Sequence, residues 1–252
     1  MTHQTVLGGL RVTEFSWIVA GPYSGELLAL LGAEVIRIES RDHADMMRRR
    51  PTSGMETSSD NLDSSLKYSA INLNKRSIAL DLGKPQGRDL AMRIVQQSDV
   101  AVENFRPGVL HRLGLDYEAL RAVNPALVML SISARGQTSP ERLLPGYASV
   151  FAAVGGVSNL TGYPDGPPTG MRIPFDYNTG TMAALAIFAA LLQRQDTGRG
   201  QYIDLSATDV ASSFMGDVLL DYSLTERVHT RQGNRHLSMA PHNCYPCQGD
   251  DQ

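Results

Sequence analysis

The sequence predicts an α/β fold with a doubly wound, mainly parallel sheet and flanking helices. Short apolar segments alternate along the chain with longer segments of helical periodicity. The first forty residues have the order strand, helix, strand, which two parallel neighbouring strands require because they need a crossover connection. With 252 residues, of which 42% are hydrophobic, the chain is long enough to bury a sizeable core.

Each element is predicted from its apolar pattern and from the turn residues that bound it. Pro22 opens the first helix and Gly32 closes it, the usual asymmetry of helix ends. The strands are predicted at 10–15, 34–39, 100–102, 127–133 and 202–205, with a short strand pair within 71–82. Helices are predicted at 21–31, 84–97, 117–123, 147–154, 178–194 and 207–222, with a short one after Gly108.

Composition excludes some classes of function. A formal net charge of -3 argues against general nucleic-acid binding, which needs clustered lysine and arginine. The N-terminal residues do not have the pattern of a signal or transit peptide, and the apolar run at 182–192 is too short to span a bilayer. We therefore expect a cytoplasmic protein without a membrane partner.

The cysteines form the motif CYPC, with His236 and His242 nearby. Such a pair is compatible with a redox site or half of a zinc site. Because the sequence has no second CxxC and no βα unit follows the pair, incidental thiols are favoured, and no metal is expected.

The segment from Ser40 to Leu66 is polar and contains four arginines, Arg41 and those at 48–50. A solvated loop is the default interpretation of a charge run. The alternative is a basic lip over an anionic ligand.

Asp176 ends a long loop that is rich in glycine and proline and precedes the apolar helix expected from Asn178. An ordered loop of this length is usually functional. The carboxylate would either cap the helix or, held ionised near the helix N-terminus, act as a nucleophile. The residues alone leave both roles open.

Two further groups of residues are candidates for anion binding. Lys75 and Arg76 follow two asparagines and can bind phosphate, although solvated surface charge is the plainer interpretation. Asn104, Phe105 and Arg112 follow a predicted parallel strand, at the edge where open α/β sheets bind ligands.

Several segments, in order, resemble the class III CoA-transferase family, which includes formyl-CoA and carnitine CoA-transferases and the related α-methylacyl-CoA racemases. They are GLRVTEFSWIVAGPYSGELLALLGAEVIRIE, NLNKRSIALDL, VAVENFRPGVLHRLGLDYEALRAVNPALVMLSIS, GYPDGPPTG, FDYNTG and TGRGQYIDLS. The resemblance implies a Rossmann-like domain, an interlocked homodimer, and transfer of CoA between an acyl-CoA and a small carboxylic acid.

The resemblance also implies site residues. The aspartate nucleophile falls on Asp176, and coenzyme A is the bound cofactor, with no metal. The CoA contacts fall on Trp17, Ile18, Val19, Ala20, Arg41, Leu73, Lys75, Arg76, Asn104, Phe105, Arg112 and Arg135. Arg135 stands where many relatives have an aromatic residue.

Two alternatives to transfer remain. A racemase-like acyl-CoA isomerase would need a His-Asp pair near Pro145–Tyr147, where this chain has Tyr147 and Ala148. A non-catalytic CoA-binding subunit would need a partner chain. We expect residues 1–228 to form the large CoA-binding domain and residues 229–252 to begin a linker to a small domain that lies outside this chain.

Overall fold

The computed structural model describes residues 5–49, 62–171 and 174–249. Six parallel strands form one sheet in the order β3-β2-β1-β4-β5-β6. They are β1 (Arg11–Glu14), β2 (Glu34–Glu39), β3 (Arg76–Ala79), β4 (Val100–Glu103), β5 (Val128–Ser133) and β6 (Gln201–Ser206). The order reverses between β1 and β4, so the predicted doubly wound fold is confirmed.

Ten helices are found in the part of the chain that is described. They are α1 (Ala20–Leu30), α2 (Leu66–Ser69), α3 (Pro85–Gln96), α4 (Val109–Leu113), α5 (Tyr117–Val123), α6 (Ala148–Val154), α7 (Val157–Leu160), α8 (Pro174–Thr197), α9 (Ala207–Ser213) and α10 (Gly216–Thr225).

Apolar layers cover both faces of the sheet. On one face Leu28 of α1 and Ile187 of α8 pack against strand residues such as Val12 and Leu130. On the other, α3, α4 and α5 pack against the opposite side chains of the same strands. Burial on both faces explains why the central strands read as continuous apolar runs.

Two predicted elements are wrong in detail. The strand pair within 71–82 is a single edge strand, β3, because Asn74 adopts a left-handed backbone (φ 59) and makes 71–75 a turn. The helix predicted over 207–222 is two helices, with a break at Phe214 and Met215.

Helix α8 begins four residues earlier than predicted, at Pro174, whose fixed φ suits the first turn. Asp176 therefore lies inside the first turn. Helix α8 has 24 residues, and its most apolar 18-residue stretch has a mean hydropathy of 1.2, so it is long and apolar enough to cross a membrane, but 44% of that stretch is buried within the protein. A core helix of a globular domain has these properties.

The polar segment after β2 is exposed at residues 41–43, as expected of a solvated loop, and is largely packed against the protein at 44–48. Ala44, Asp45 and Met47 are buried. The Arg48 guanidinium lies 3.6 Å from the centre of the Tyr68 ring and donates hydrogen bonds of 2.8 and 2.9 Å to Glu39. Residues 50–61, including the last arginine of the 48–50 run, lie outside the described residues.

Candidate functional site

A cleft of about 370 Å³ opens at the carboxyl edge of the sheet, beside the reversal in strand order. Four strands lead into its wall: the segment from Trp17 to Ala20 follows β1, Asn104 and Phe105 follow β4, Ile132 and Ser133 end β5, and Ala207 follows β6. Open α/β sheets bind ligands at this position.

The opposite wall comes from the connection between β5 and β6. It includes the segment 142–147, Phe151 of α6 and Asp176 of α8. The cleft therefore joins a carboxylate to a largely apolar wall, with the exposed Arg106 and Arg142 among its lining residues.

Asp176 is partly buried and forms no hydrogen bond or ion pair with the described residues. Burial raises the pKa of its carboxyl group to about 6. The positive end of the α8 dipole favours the ionised carboxylate, and burial opposes it. At pH 7 about nine-tenths of the groups are still ionised, with a higher basicity than an ordinary aspartate.

Contact between α1 and α8 places Asp176 in the cleft. A Cβ atom on Gly180, one helical turn after Asp176, would come within 2.7 Å of the Ala20 carbonyl oxygen. Only glycine allows this approach, so the first turn of α8 lies against the segment that begins α1. Tyr177 packs edge-on against Tyr23 of α1, with ring centroids 4.7 Å apart.

Asn104 lines the cleft, but its amide group is committed to the protein. Its Oδ1 accepts from the Trp17 amide at 2.7 Å, and its Nδ2 donates to the Trp17 carbonyl at 2.7 Å. The Trp17 ring meets the edge of Phe105 at 5.7 Å between centroids. Asn104 therefore shapes this wall.

Lys75 lies behind the wall and is almost fully buried. Its ammonium group contacts Glu14 Oε2 at 2.8 Å, Asn72 Oδ1 at 2.9 Å and the Pro22 carbonyl at 2.5 Å. These three acceptors match the three donors of an ammonium group. Burial lowers the pKa of Lys75, and the Glu14 carboxylate opposes that shift.

The remaining predicted CoA residues do not line this cleft. Arg41, Leu73, Arg76 and Arg112 are exposed, and Arg76 pairs with Glu34 at 2.9 Å. Arg135 pairs with Glu141 at 2.5 Å. The structure thus brings together Trp17 to Ala20, Asn104, Phe105 and Asp176, and the CoA role of the others stays a prediction.

Two polar groups were missed by sequence reasoning. The Ser133 hydroxyl is buried in the cleft wall and has no hydrogen-bond partner among the described residues. Glu103 accepts from the Phe105 amide at 2.8 Å, and burial raises its pKa to about 7 although hydrogen bonds from Ser131 and Phe105 oppose the shift. In the sequence, the single feature that points to these two residues is that each one stands at the end of a strand.

The two cysteines are exposed free thiols. Within the described residues no group of three or more histidine, cysteine, aspartate or glutamate side chains is placed to hold a metal ion. No cleft-lining residue is a histidine, so the described cleft does not contain the His-Asp pair that the racemase alternative requires.

Comparison with known proteins decides the family. The family model of "CoA-transferase family III" matches residues 7–252. The chain belongs to this family. It is 39% identical over 244 residues to succinyl-CoA–D-citramalate CoA-transferase of Chloroflexus aurantiacus, and 37% identical over 242 residues to succinate–glutarate CoA-transferase of Agrobacterium fabrum.

The solved structures agree with this family III assignment. A CaiB/BaiF family protein from Brucella suis superposes with a TM-score of 0.88 at 37% identity, covering 95% of this chain and 63% of that one. Each of the two curated relatives is matched over 95% of this chain, which spans 58% and 60% of their respective lengths.

Proposed function

We propose that this family III chain carries the acyl site of a CoA-transferase, in which Asp176 is the nucleophile that moves CoA between an acyl-CoA thioester and a small carboxylic acid. The observation that carries the proposal is the place of Asp176: a carboxylate without a protein partner among the described residues, in a cleft at the carboxyl edge of the sheet. The relatives' names supply the chemical class.

The environment of Asp176 suits a nucleophile. A carboxylate paired with arginine or bound by several amides would be stabilised and poorly reactive, whereas burial without partners raises both its pKa and its basicity. The apolar cleft wall limits access of water, which would hydrolyse an activated carboxyl group.

The exchange is balanced in four steps. An Asp176 oxygen attacks the thioester carbonyl carbon, the C–S bond breaks, and CoA thiolate leaves an acyl-aspartyl anhydride. The thiolate attacks the aspartyl carbonyl carbon and releases the donor acid, leaving an aspartyl-CoA thioester. The acceptor carboxylate attacks that thioester, re-forming an anhydride and free thiolate. The thiolate then attacks the acceptor's acyl carbon, giving the new acyl-CoA and regenerating Asp176.

CoA would lie along the wall made by Trp17, Ile18, Val19 and Ala20, with Phe105 beside it. Arg106 and Arg142, the cationic residues lining the described cleft, are placed to meet its phosphates. Arg41, Leu73, Arg76, Arg112 and Arg135 remain proposed contacts. Lys75 is proposed to support the wall from behind and not to contact CoA directly, because its three N–H donors are occupied by protein acceptors.

The working form of the protein is proposed to be a cytoplasmic homodimer, with residues 1–228 as the CoA-binding domain. Helix α10 and the segment after it leave Leu219, Leu220, Leu224 and Val228 at least half exposed. An apolar surface of this kind is typical of a protein interface, and we assign a second copy of the chain to it.

Mass spectrometry of the intact protein after incubation with a panel of acyl-CoAs tests the nucleophile. We expect a CoA or acyl adduct on the peptide that contains Asp176, and its loss together with the loss of exchange in Asp176→Ala. Asp165→Ala, which removes an exposed carboxylate from the preceding loop, is the matched control and should retain both.

Unchanged exchange in Asp176→Ala would refute the mechanism. Uptake of deuterium from heavy water at the acyl-CoA α-carbon, without exchange of CoA between acids, would instead support the isomerase alternative. CoA binding with neither activity would support a CoA-binding subunit.

A further inference from the structure

Ile18, in the cleft wall, has a strained backbone. Its φ of 69° lies in the left-handed region, which β-branched residues rarely adopt. The other described non-glycine residues with positive φ are Asn74 and Glu226, neither of which is β-branched. Such strain persists only where neighbouring groups hold the backbone, and it is concentrated at functional sites.

Two side chains hold this strained segment. Asn104 binds both backbone groups of Trp17. Asp45 Oδ2 accepts a hydrogen bond of 3.0 Å from the amide of Ile18 itself. The side chain of Asp45 is 1% exposed, so this bond is shielded from water.

Every contact that the structure gives to the Asp45 carboxylate is with a donor. Oδ1 accepts from the Met47 amide at 2.8 Å, and Oδ2 accepts from Arg37 Nη2 as well as from Ile18. An asparagine at position 45 would place its own side-chain N–H group next to one of these N–H donors, which would lose its hydrogen bond.

Arg37 connects Asp45 to the interior of the sheet. Its Nη1 lies 3.3 Å from Glu14 Oε1, and Glu14 Oε2 lies 2.8 Å from Lys75. The side chains of Glu14 on β1 and Arg37 on β2 are at most 1% exposed. A buried ion network adds little net stability compared with apolar packing, but it can fix one geometry.

We propose that Asp45 is a positioning residue for the cleft: through its bond to the Ile18 amide it holds the wall formed by Trp17, Ile18 and Val19 in the conformation that receives CoA. The inference rests on the proposed CoA site but concerns a residue outside the cleft. It also gives the buried Arg37, Glu14 and Lys75 a shared role as the support of Asp45.

The tryptophan at position 17 allows a direct test, because it is the single tryptophan of the protein. Without ligand, its fluorescence emission and its quenching by acrylamide measure how accessible the Trp17 ring in the wall is. The change of its fluorescence on titration with CoA measures binding at the site. We expect Asp45→Asn to increase quenching, to weaken CoA binding about tenfold, and to raise KM while leaving kcat within about twofold.

A matched control separates positioning from stability. Glu39→Gln disturbs the same cluster, since Glu39 lies 3.9 Å from Arg37 and bonds Arg48, Tyr68 and Ser77, but it does not touch Ile18. We expect this variant to lower stability and to leave the Trp17 quenching and the CoA affinity as in the wild type.

Ile18→Gly provides a second, independent test, because glycine adopts a φ of 69° without steric cost. If Asp45 acts by holding Ile18, Asp45→Asn in the Ile18→Gly background should weaken CoA binding about threefold or less. Equal losses in both backgrounds, or equal losses in Asp45→Asn and Glu39→Gln, would overturn the proposal.

Failure of the proposed function has a different signature. Wild-type Trp17 fluorescence that does not respond to CoA would argue against the CoA site itself. The acrylamide comparison without ligand would then still decide whether Asp45 holds the wall: unchanged quenching in Asp45→Asn would show that it does not.

Discussion

At the scale of the residue, the proposed reaction depends on how the surroundings of Asp176 shift the ionisation of its carboxyl group. Its position in the first turn of α8 favours the ionised form, and its burial disfavours it. Because burial raises the pKa of the carboxyl group, the native state holds this proton more tightly than the unfolded chain does. Reactivity at this position is therefore linked to a loss of stability.

That linkage gives a stability prediction. Because the folded pKa of Asp176 is raised to about 6, its stabilising, protonated form is present below the unfolded pKa and is lost as pH rises through the folded one. We expect Asp176→Asn to raise the free energy of unfolding by about 1 to 3 kcal/mol at pH 7. Near pH 4 most of the gain should be lost, because the wild-type group is then neutral in the folded state.

Urea unfolding at the two pH values provides the measurement. Asp165→Asn is the control, and it should show no comparable pH-dependent gain because its side chain is exposed. A stabilisation by Asp176→Asn of equal size at pH 4 and pH 7 would contradict the assigned cause.

The same pKa predicts the pH dependence of activity. In the proposed mechanism only the ionised carboxylate attacks the thioester, so kcat/KM should fall below an apparent pKa of about 6. The measurement is the exchange rate between pH 4.5 and 8 at subsaturating acyl-CoA. A profile that stays flat down to pH 4.5 would show that another group, or a step other than attack by Asp176, controls the rate.

At the scale of the element, the contact of α1 with α8 delivers the carboxylate to the cleft. The backbone approach at Gly180 leaves no room for a side chain, since an added Cβ would also lie 2.9 Å from Tyr23 Cδ1. Alanine has a higher helix propensity than glycine, which favours the substitution, whereas the clash of its Cβ with α1 opposes it. The change in the free energy of unfolding shows which of the two effects is larger.

We expect Gly180→Ala to lower the free energy of unfolding by about 1 to 3 kcal/mol and to reduce transfer activity, because α8 must shift and carry Asp176 with it. Gly216→Ala is the matched control: it adds the same methyl group to α10, where no atom lies within 4 Å of the new Cβ. That variant should be neutral or slightly stabilised. Denaturant unfolding and exchange assays of both variants compare the two effects.

The elements also show what the sequence could predict. Apolar periodicity and turn residues locate all six strands because those signals are local. The early start of α8 was missed because Pro174 resembles the end of a loop as much as the first turn of a helix. Asp45 was missed because two of its partners, Ile18 and Arg37, come from other segments of the chain, and no local sequence pattern indicates that contact.

At the scale of the whole molecule, the order of the strands in the sheet brings the residues that line the cleft together from distant parts of the chain. Asn104 and Phe105 were predicted to lie there because they follow a parallel strand, and the structure places them in the wall. Of the two basic residues predicted at 75 and 76, Lys75 is buried and Arg76 is exposed, a difference that their charge alone does not predict, and their role toward CoA stays a prediction.

The apolar surface of α10 gives a prediction at this scale. If α10 forms the proposed dimer interface, replacing Leu220, which is 60% exposed, by glutamate should convert the dimer to a monomer without unfolding it. Light scattering coupled to gel filtration measures the mass, and circular dichroism controls for the fold. A wild-type protein that is monomeric at all concentrations would refute the assigned interface.

The crossover between β5 and β6 has a consequence for how the protein is made. These strands pair Val128 with Gln201, and the chain between them contains α8 and Asp176. During synthesis the Trp17 wall can form once β4 has emerged, whereas Asp176 is fixed only after β6 closes a loop of about 70 residues. We therefore expect a ribosome-bound chain to form the wall around Trp17 before Asp176, the proposed nucleophile, is fixed in the cleft.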